Sequence, residues 1–251
     1  MKDDIYDLAF QQEEAYWWYV ARRRILLDCV RALLPKQSAG SKSDILEYGC
    51  GTGCTLSSLS GCADVYGMDA SPKALDYCRK RGLTRLHRID AQQPLPEANP
   101  FHASFDLILL LDVLEHLDDE IAVLQILRAW LKPGGSLIVS VPAFPCLWSG
   151  EDVVSHHRRR YTKKSLRRTL RRAGFHTVRE TYFNFFLFPL QASAILANRL
   201  FRPHALTQSN LKPLPLRLNS LLTWIMSSER CALKFVNLPA GGSVLSIAKP
   251  S

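Results

Sequence analysis

The chain of 251 residues lacks an uninterrupted apolar run long enough to span a bilayer, so no transmembrane helix is expected. Its most apolar late stretch, residues 185–200, is interrupted by Pro189, Gln191, Asn198 and Arg199. The opening Met-Lys-Asp-Asp has no apolar centre, so no signal peptide is expected. The seven cysteines (29, 50, 54, 62, 78, 146 and 231) follow no framework spacing. Cys50 and Cys54 lie four apart, but no second Cys/His pair stands at ligand spacing, so reduced thiols in a cytosolic protein are expected, without a metal. Acid is missing from one segment: between His156 and Arg172 nine Lys and Arg stand with no Asp or Glu. The other 23 basic residues equal the 23 acidic ones, so the net charge of +9 belongs to that segment, and so does any partner it implies.

What is present is ordinary globular composition, 47% hydrophobic and 22% charged, at a length that fills one domain with an elaboration. Residues 11–34 read as one helix, with Val20, Leu26, Leu27, Val30, Leu33 and Leu34 as its stripe and Pro35 as its stop. It carries Tyr16-Trp17-Trp18-Tyr19, either a docking face or a helix folded over a pocket mouth. Beyond a polar linker, strands at 44–48, 64–69, 84–89, 105–111 and 136–141 alternate with helices at 54–60, 72–81 and 118–131. Runs such as Leu107–Leu111 indicate strands buried on both faces. This alternation predicts a doubly wound α/β fold with a mostly parallel sheet. A helix at 163–173, a strand at 176–183 and a last strand at 243–249, read as the antiparallel edge, complete it. Residues 184–242 read as an insertion with apolar helical patches at 185–200 and 214–226. The division expected is an N-terminal cap (1–43), a core (44–183), the insertion and the last strand (243–251).

The chain is organised around Asp44-Ile-Leu-Glu-Tyr-Gly-Cys-Gly-Thr-Gly53, a strand running into Gly49, Gly51 and Gly53 and then a helix. Glycines suit positive φ or close approach to a ligand, and the exposed N–H groups suit a polar or anionic one. Asp69 ends the second strand, where an acid accepts from ribose hydroxyls. Asp90 ends the third, where a carboxylate can accept from an adenine amino group. All three sit at carboxyl ends of strands, where open α/β sheets bind ligands. A dinucleotide fingerprint needs a glycine at position 54, which is Cys, and no hydride-transfer set stands out.

These motifs resemble class I S-adenosylmethionine-dependent methyltransferases of the small-molecule, type 11-like kind. Glu47-x-Gly49-x-Gly51-x-Gly53, Asp69, Asp90, Asp112-Val-Leu-Glu-His-Leu117 and Leu131-Lys-Pro-Gly-Gly135 follow the family order over about residues 44–183. The resemblance implies a seven-stranded Rossmann-like sheet and S-adenosylmethionine as cofactor. It implies a cofactor set of Glu47, Gly49, Cys50, Gly51, Gly53, Asp69, Ala70, Asp90, Ala91, Leu111 and Asp112.

Methyl transfer from a sulfonium is an in-line displacement, so the protein supplies alignment and a water-poor cavity, with a general base only for a protonated acceptor. His116 is the first candidate base, with helix capping or packing as the alternative. The segment Trp148–Thr162 follows the fifth strand on the acceptor side. Together with Trp17 and Trp18 it resembles a bacterial methyltransferase subgroup with a His-x-Arg-Arg-Tyr segment. There His157 and Tyr161 are catalytic candidates, and Trp148, Asp152, Arg159 and Arg160 acceptor-binding ones, the two arginines suiting a phosphate or carboxylate. The expected acceptor is small or lipid-linked and anionic, with peripheral association at an anionic inner membrane surface. An RNA methyltransferase and a non-catalytic binding or scaffold protein are the alternatives. The absence of a separate RNA-binding module and the confinement of charge argue against a nucleic-acid partner. Oligomeric state is not legible in the sequence.

Overall fold

A computed structural model of the chain describes residues 3–34, 42–89, 101–201 and 214–251. The expected stop at Pro35 and the candidates Asp90 and Ala91 lie outside the described residues. The strands are β1 (Ser43–Tyr48), β2 (Ala63–Asp69), β3 (Leu86–Arg88), β4 (Phe105–Leu111), β5 (Leu131–Pro142), β6 (Phe175–Phe183) and β7 (Ser243–Pro250). They form one seven-stranded sheet in the order β3-β2-β1-β4-β5-β7-β6. The first five pair in parallel, and β7 runs antiparallel to both β5 and β6. The mostly parallel α/β fold is the one the alternation predicts.

Two placements differ from the expectation. β7 is not the edge of the sheet: it lies between β5 and β6, and its first six residues are all buried. β6 takes the edge, and after the buried Phe175 its residues 176–179 alternate between exposed and half-buried. The second difference is at the N-terminus. One helix over 11–34 is replaced by α1 (Asp3–Gln12) and α2 (Trp17–Leu33), broken at 13–16. The buried Glu13 carboxylate causes the break by turning away to accept from Thr52 and Arg81, while its carbonyl accepts from Arg23.

The remaining helices are α3 (Cys54–Leu59), α4 (Pro72–Lys80), α5 (Glu120–Trp130), α6 (Gly150–Val154), α7 (Lys163–Arg172), α8 (Phe188–Phe201) and α9 (Leu216–Leu233). Residues 132–135 loop out of β5 between Leu131, paired with Phe105, and Ser136, paired with Leu107. The two faces of the sheet build separate cores. Leu46, Ile108 and Leu110 face α5 and α7 through Leu127, Trp130, Leu166 and Leu170. Ile45, Leu107 and Leu109 face α2 and α9 through Ile25, Leu26, Met226 and Leu233. Alternate residues of one strand pointing to opposite faces produce this division, and burial on both sides is why β4 reads as a continuous apolar run. The basic helix α7 and the helix α9 of the insertion therefore stand on opposite faces.

Candidate active site

The glycine turn leaves β1 at its carboxyl end, and Gly49, Gly51 and Gly53 all take positive φ, at 74°, 53° and 78°. Two of them are set by neighbours as well. A Cβ on Gly49 would stand 2.3 Å from Val113 Cγ2, and one on Gly53 would stand 2.7 Å from Cys78 Sγ. A Cβ on Gly51 would meet nothing within 4 Å, so this glycine alone faces open space. The Cys50 sulfur lies 3.8 Å from that of Cys78. Asp69 is buried at the end of β2 and accepts from the Gly51 and Ser71 amides, both at 2.9 Å. Burial raises its carboxyl, and these amides, with the Ala70 backbone, work against the shift. The Tyr6 hydroxyl of α1 approaches it at 3.4 Å.

Beneath the turn, Glu47 is buried with its Oε2 lacking a partner. Burial pushes its carboxyl up to about 8, opposed by the charge of Arg22. Arg22, on α2, pairs with Asp112 at 2.7 Å and stacks over Trp18, while its Nε is buried without a partner. Asp112 follows the buried Leu111 in a left-handed conformation, φ 56°, and accepts from Ser140. Sequence reasoning missed Arg22. Its signal was the cation one turn after Trp18, on the helix read as covering the pocket mouth.

On the acceptor side, the 3₁₀ turn Leu114–His116 follows β4. Glu115 is fully buried and neither of its carboxylate oxygens has a partner, so its carboxyl is raised well above the usual range by burial and by Asp112. The His116 and His157 rings meet edge to face at 4.8 Å between centroids. Burial and the neighbouring His157 pull His116 down to about 4. His157 Nδ1 lies 2.9 Å from Asp152 Oδ1, and its Nε2 lies 3.9 Å from Glu115 Oε1. Burial works against Asp152 ionising, yet hydrogen bonds from His157 and Arg160 hold its carboxyl far below the usual range.

The arginines of this segment are engaged internally. Arg160 forks onto Asp152 with both bonds at 2.7 Å and donates to the Ala143 carbonyl. Arg159 pairs with Glu120 and donates to Leu117, and Arg158 pairs with Asp118. Tyr161 is buried in the core on the α5–α7 face, its hydroxyl 3.4 Å from the Leu114 carbonyl and its pKa raised by burial. Trp17 and Trp18 pack on the opposite face with α2 and α9, and the Trp17 amide donates to Asn219. Tyr16 and Tyr19 feel the charge of Glu151 on α6, which brings the aromatic start of α2 to the segment carrying Trp148. The half-buried Trp148 accepts from Arg199 through its carbonyl. The structure thus brings together Glu47, the glycine turn, Asp69, Asp112, His116, His157 and Asp152, and places Tyr161 in the core. A hollow of about 480 Å³, lined by His102, Arg128, His176 and Lys249 among others, lies at the amino ends of β4 and β5, away from this chemistry.

A buried unpartnered carboxylate, a guanidinium beside it and a glycine with open space above suit a ligand that is cationic at one point and anionic at another. S-adenosylmethionine, with its ammonium, sulfonium and carboxylate, is such a ligand. The sheet order, with one antiparallel strand inside it and a glycine turn after β1, is that of the class I Rossmann-like methyltransferase fold. Comparison with known proteins agrees. The profile of the methyltransferase domain family matches residues 17–180, and the chain belongs to that family.

Among curated relatives, the ubiquinone biosynthesis O-methyltransferase of Methylococcus capsulatus is 32% identical over 107 residues, covering 41% of this chain and 44% of the relative. That of Cereibacter sphaeroides is 35% identical over 101 residues, covering 38% and 40%. The chain spans less than half the length of these relatives. Among solved structures, a chain in the complex of the Haloferax volcanii Trm112 methyltransferase activator with a methyltransferase superposes with a TM-score of 0.59 at 16% identity, covering 98% and 95% of the two chains. A Thermotoga maritima S-adenosylmethionine-dependent methyltransferase gives 0.57 at 21%, covering 94% and 93%. At these identities the structures speak for the fold.

Proposed function

We propose that the chain transfers a methyl group from S-adenosylmethionine to a hydroxyl oxygen of a small or lipid-linked acceptor. The observation that carries this reading is the Glu115 carboxylate, buried and unpartnered, beside His116 and His157 at the end of β4. An amine acceptor needs only its lone pair, whereas a hydroxyl must surrender a proton, and this cluster is where proton acceptors gather. The curated relatives, named as O-methyltransferases, support an oxygen acceptor. Arg159 and Arg160 are internally paired, so the reading places its weight on proton acceptance and not on anion binding.

S-adenosylmethionine supplies an activated methyl carbon. Glu47 would receive its ammonium and Arg22 its carboxylate, with the Gly51 backbone against its body and Asp69 toward its ribose. Asp152 holds the His157 ring through Nδ1, leaving Nε2 beside Glu115. The aromatic start of α2 and α6 exclude water from the line of attack.

The test is turnover on a panel of phenols and catechols, with and without prenyl chains, with the product's methyl linkage read by NMR. An oxygen-linked methyl is expected. Glu115→Gln should lower kcat about 10²- to 10⁴-fold with cofactor affinity unchanged. Nitrogen-linked product, or full turnover in Glu115→Gln, overturns the reading.

A further inference from the structure

We propose that Glu115, His116 and His157 form a binding site for a divalent transition-metal ion, of the zinc, cobalt or iron(II) kind, with the Asp152 carboxylate orienting the His157 ring. This rests on the acceptor-side cluster of the proposed reaction and deepens it.

The first observation is the unpaired carboxylate. Glu115 has no solvent exposure and no hydrogen-bond partner for either oxygen. A buried polar atom without a partner calls for a reason, and an unlocated ion is one. The second is distance. One ligating atom from each of the three side chains lies within 4.8 Å of the others, a cluster that small side-chain adjustments can contract around an ion.

The third observation is the state of the His157 imidazole. Asp152 takes its Nδ1, so Nε2 presents a lone pair 3.9 Å from a Glu115 oxygen that has no hydrogen-bond partner. Two lone pairs facing each other repel unless a proton or a cation lies between them. Metal-ligating histidines commonly give their second nitrogen to a carboxylate or a backbone carbonyl, and the His157 ring shows that arrangement with Asp152. His156 and Asp112, on either side of the cluster, hold left-handed conformations at φ 57° and 56°. Such conformations in non-glycine residues are costly and gather at functional sites.

Two nitrogens and one carboxylate oxygen form a donor set that binds zinc or iron(II) and leaves coordination positions open. An acceptor hydroxyl in an open position would lose its proton to water more readily. Its oxygen would then form the bond to the methyl carbon as the carbon–sulfur bond breaks, and that electron pair would stay on sulfur as a neutral thioether.

The test is independent of turnover. Full-length protein is stripped with a chelator, dialysed and titrated with Zn²⁺ by calorimetry and with Co²⁺ by visible absorption. One ion per chain is expected, with a Co²⁺ spectrum of tetrahedral or five-coordinate type. Glu115→Gln and His157→Asn, each checked for folding by circular dichroism, should weaken binding at least about 100-fold, and Asp152→Asn about 10- to 100-fold. S-adenosylmethionine affinity should be unchanged in Glu115→Gln. No stoichiometric ion in the wild type, or equal affinity in Glu115→Gln and His157→Asn, overturns the site. O-methylation by chelated protein at full rate would sink the metal while leaving the proposed reaction standing.

Discussion

At the scale of single residues, the glycine turn separates structural need from ligand need. Gly49 and Gly51 both take positive φ, so either change to Ala costs roughly 1 to 2 kcal/mol in backbone strain. Gly49→Ala adds a collision with Val113, whereas Gly51→Ala meets open space. Thermal unfolding should show Gly49→Ala much the less stable. Calorimetry should show Gly51→Ala folded yet weakened at least tenfold for S-adenosylmethionine. Glu47 gives a second test. Its carboxyl rises from the usual 4.5 to about 8, so between those values the folded chain keeps a proton that the unfolded chain has released. Its contribution to stability therefore falls as pH rises through that window. A ligand ammonium beside Glu47 reverses the preference and expels the proton. Cofactor affinity should rise from pH 6 toward pH 8, with proton release shown by calorimetry in buffers of differing ionisation enthalpy. Glu47→Gln should abolish that release.

At the scale of elements, helix α2 joins the halves of the site. Arg22 neutralises Asp112, lies near Glu47 and packs on Trp18, while Asp28 receives a fork from Arg230 of α9. Arg22→Gln keeps a hydrogen-bonding group but leaves Asp112 and Glu47 without their cation. Unfolding by denaturant should report a loss of about 1 to 3 kcal/mol, and cofactor affinity should fall as well. Substitution of Arg31, which is more exposed and pairs only loosely with Asp28, should leave both unchanged. These elements also mark where sequence stops being informative. The parallel strands and the glycine turn are legible because period and residue type act locally. The break at 13–16 is not, because Glu13 leaves the helix for Thr52, 39 residues away. Nor is the pairing of Arg159 and Arg160 with Glu120 and Asp152, since a run of charges states no partner. The buried place of β7 is hidden similarly, because its neighbours are chosen by topology.

At the scale of the molecule, the sheet divides two features that the sequence sets side by side. Helix α7 packs Leu166 and Leu170 into the α5 core on one face and α9 packs on the other, and most of the exposed large apolar residues lie on α8, α9 and the turn after them. Leu200 is 75% exposed, Trp224 69% and Phe235 87%, with Arg199, Arg217 and Lys234 nearby in sequence. No helix among the described residues is long and apolar enough to cross a membrane. A lipid-linked acceptor would nonetheless have to be met at a bilayer surface, and an apolar face edged by cations is the surface suited to it. Flotation with vesicles containing anionic lipid can decide which face docks. Burial of a large apolar side chain contributes roughly 1.5 to 3 kcal/mol, and a basic residue near an anionic surface about 1. Trp224→Ala combined with Phe235→Ala should therefore lower vesicle partitioning at least a hundredfold at any salt concentration. Reversing Lys164, Arg168 and Arg171 of α7 to Glu should lower it far less, and only at low salt. Retention lost with α7 and kept by the apolar double variant would place the membrane on the opposite face, away from the insertion.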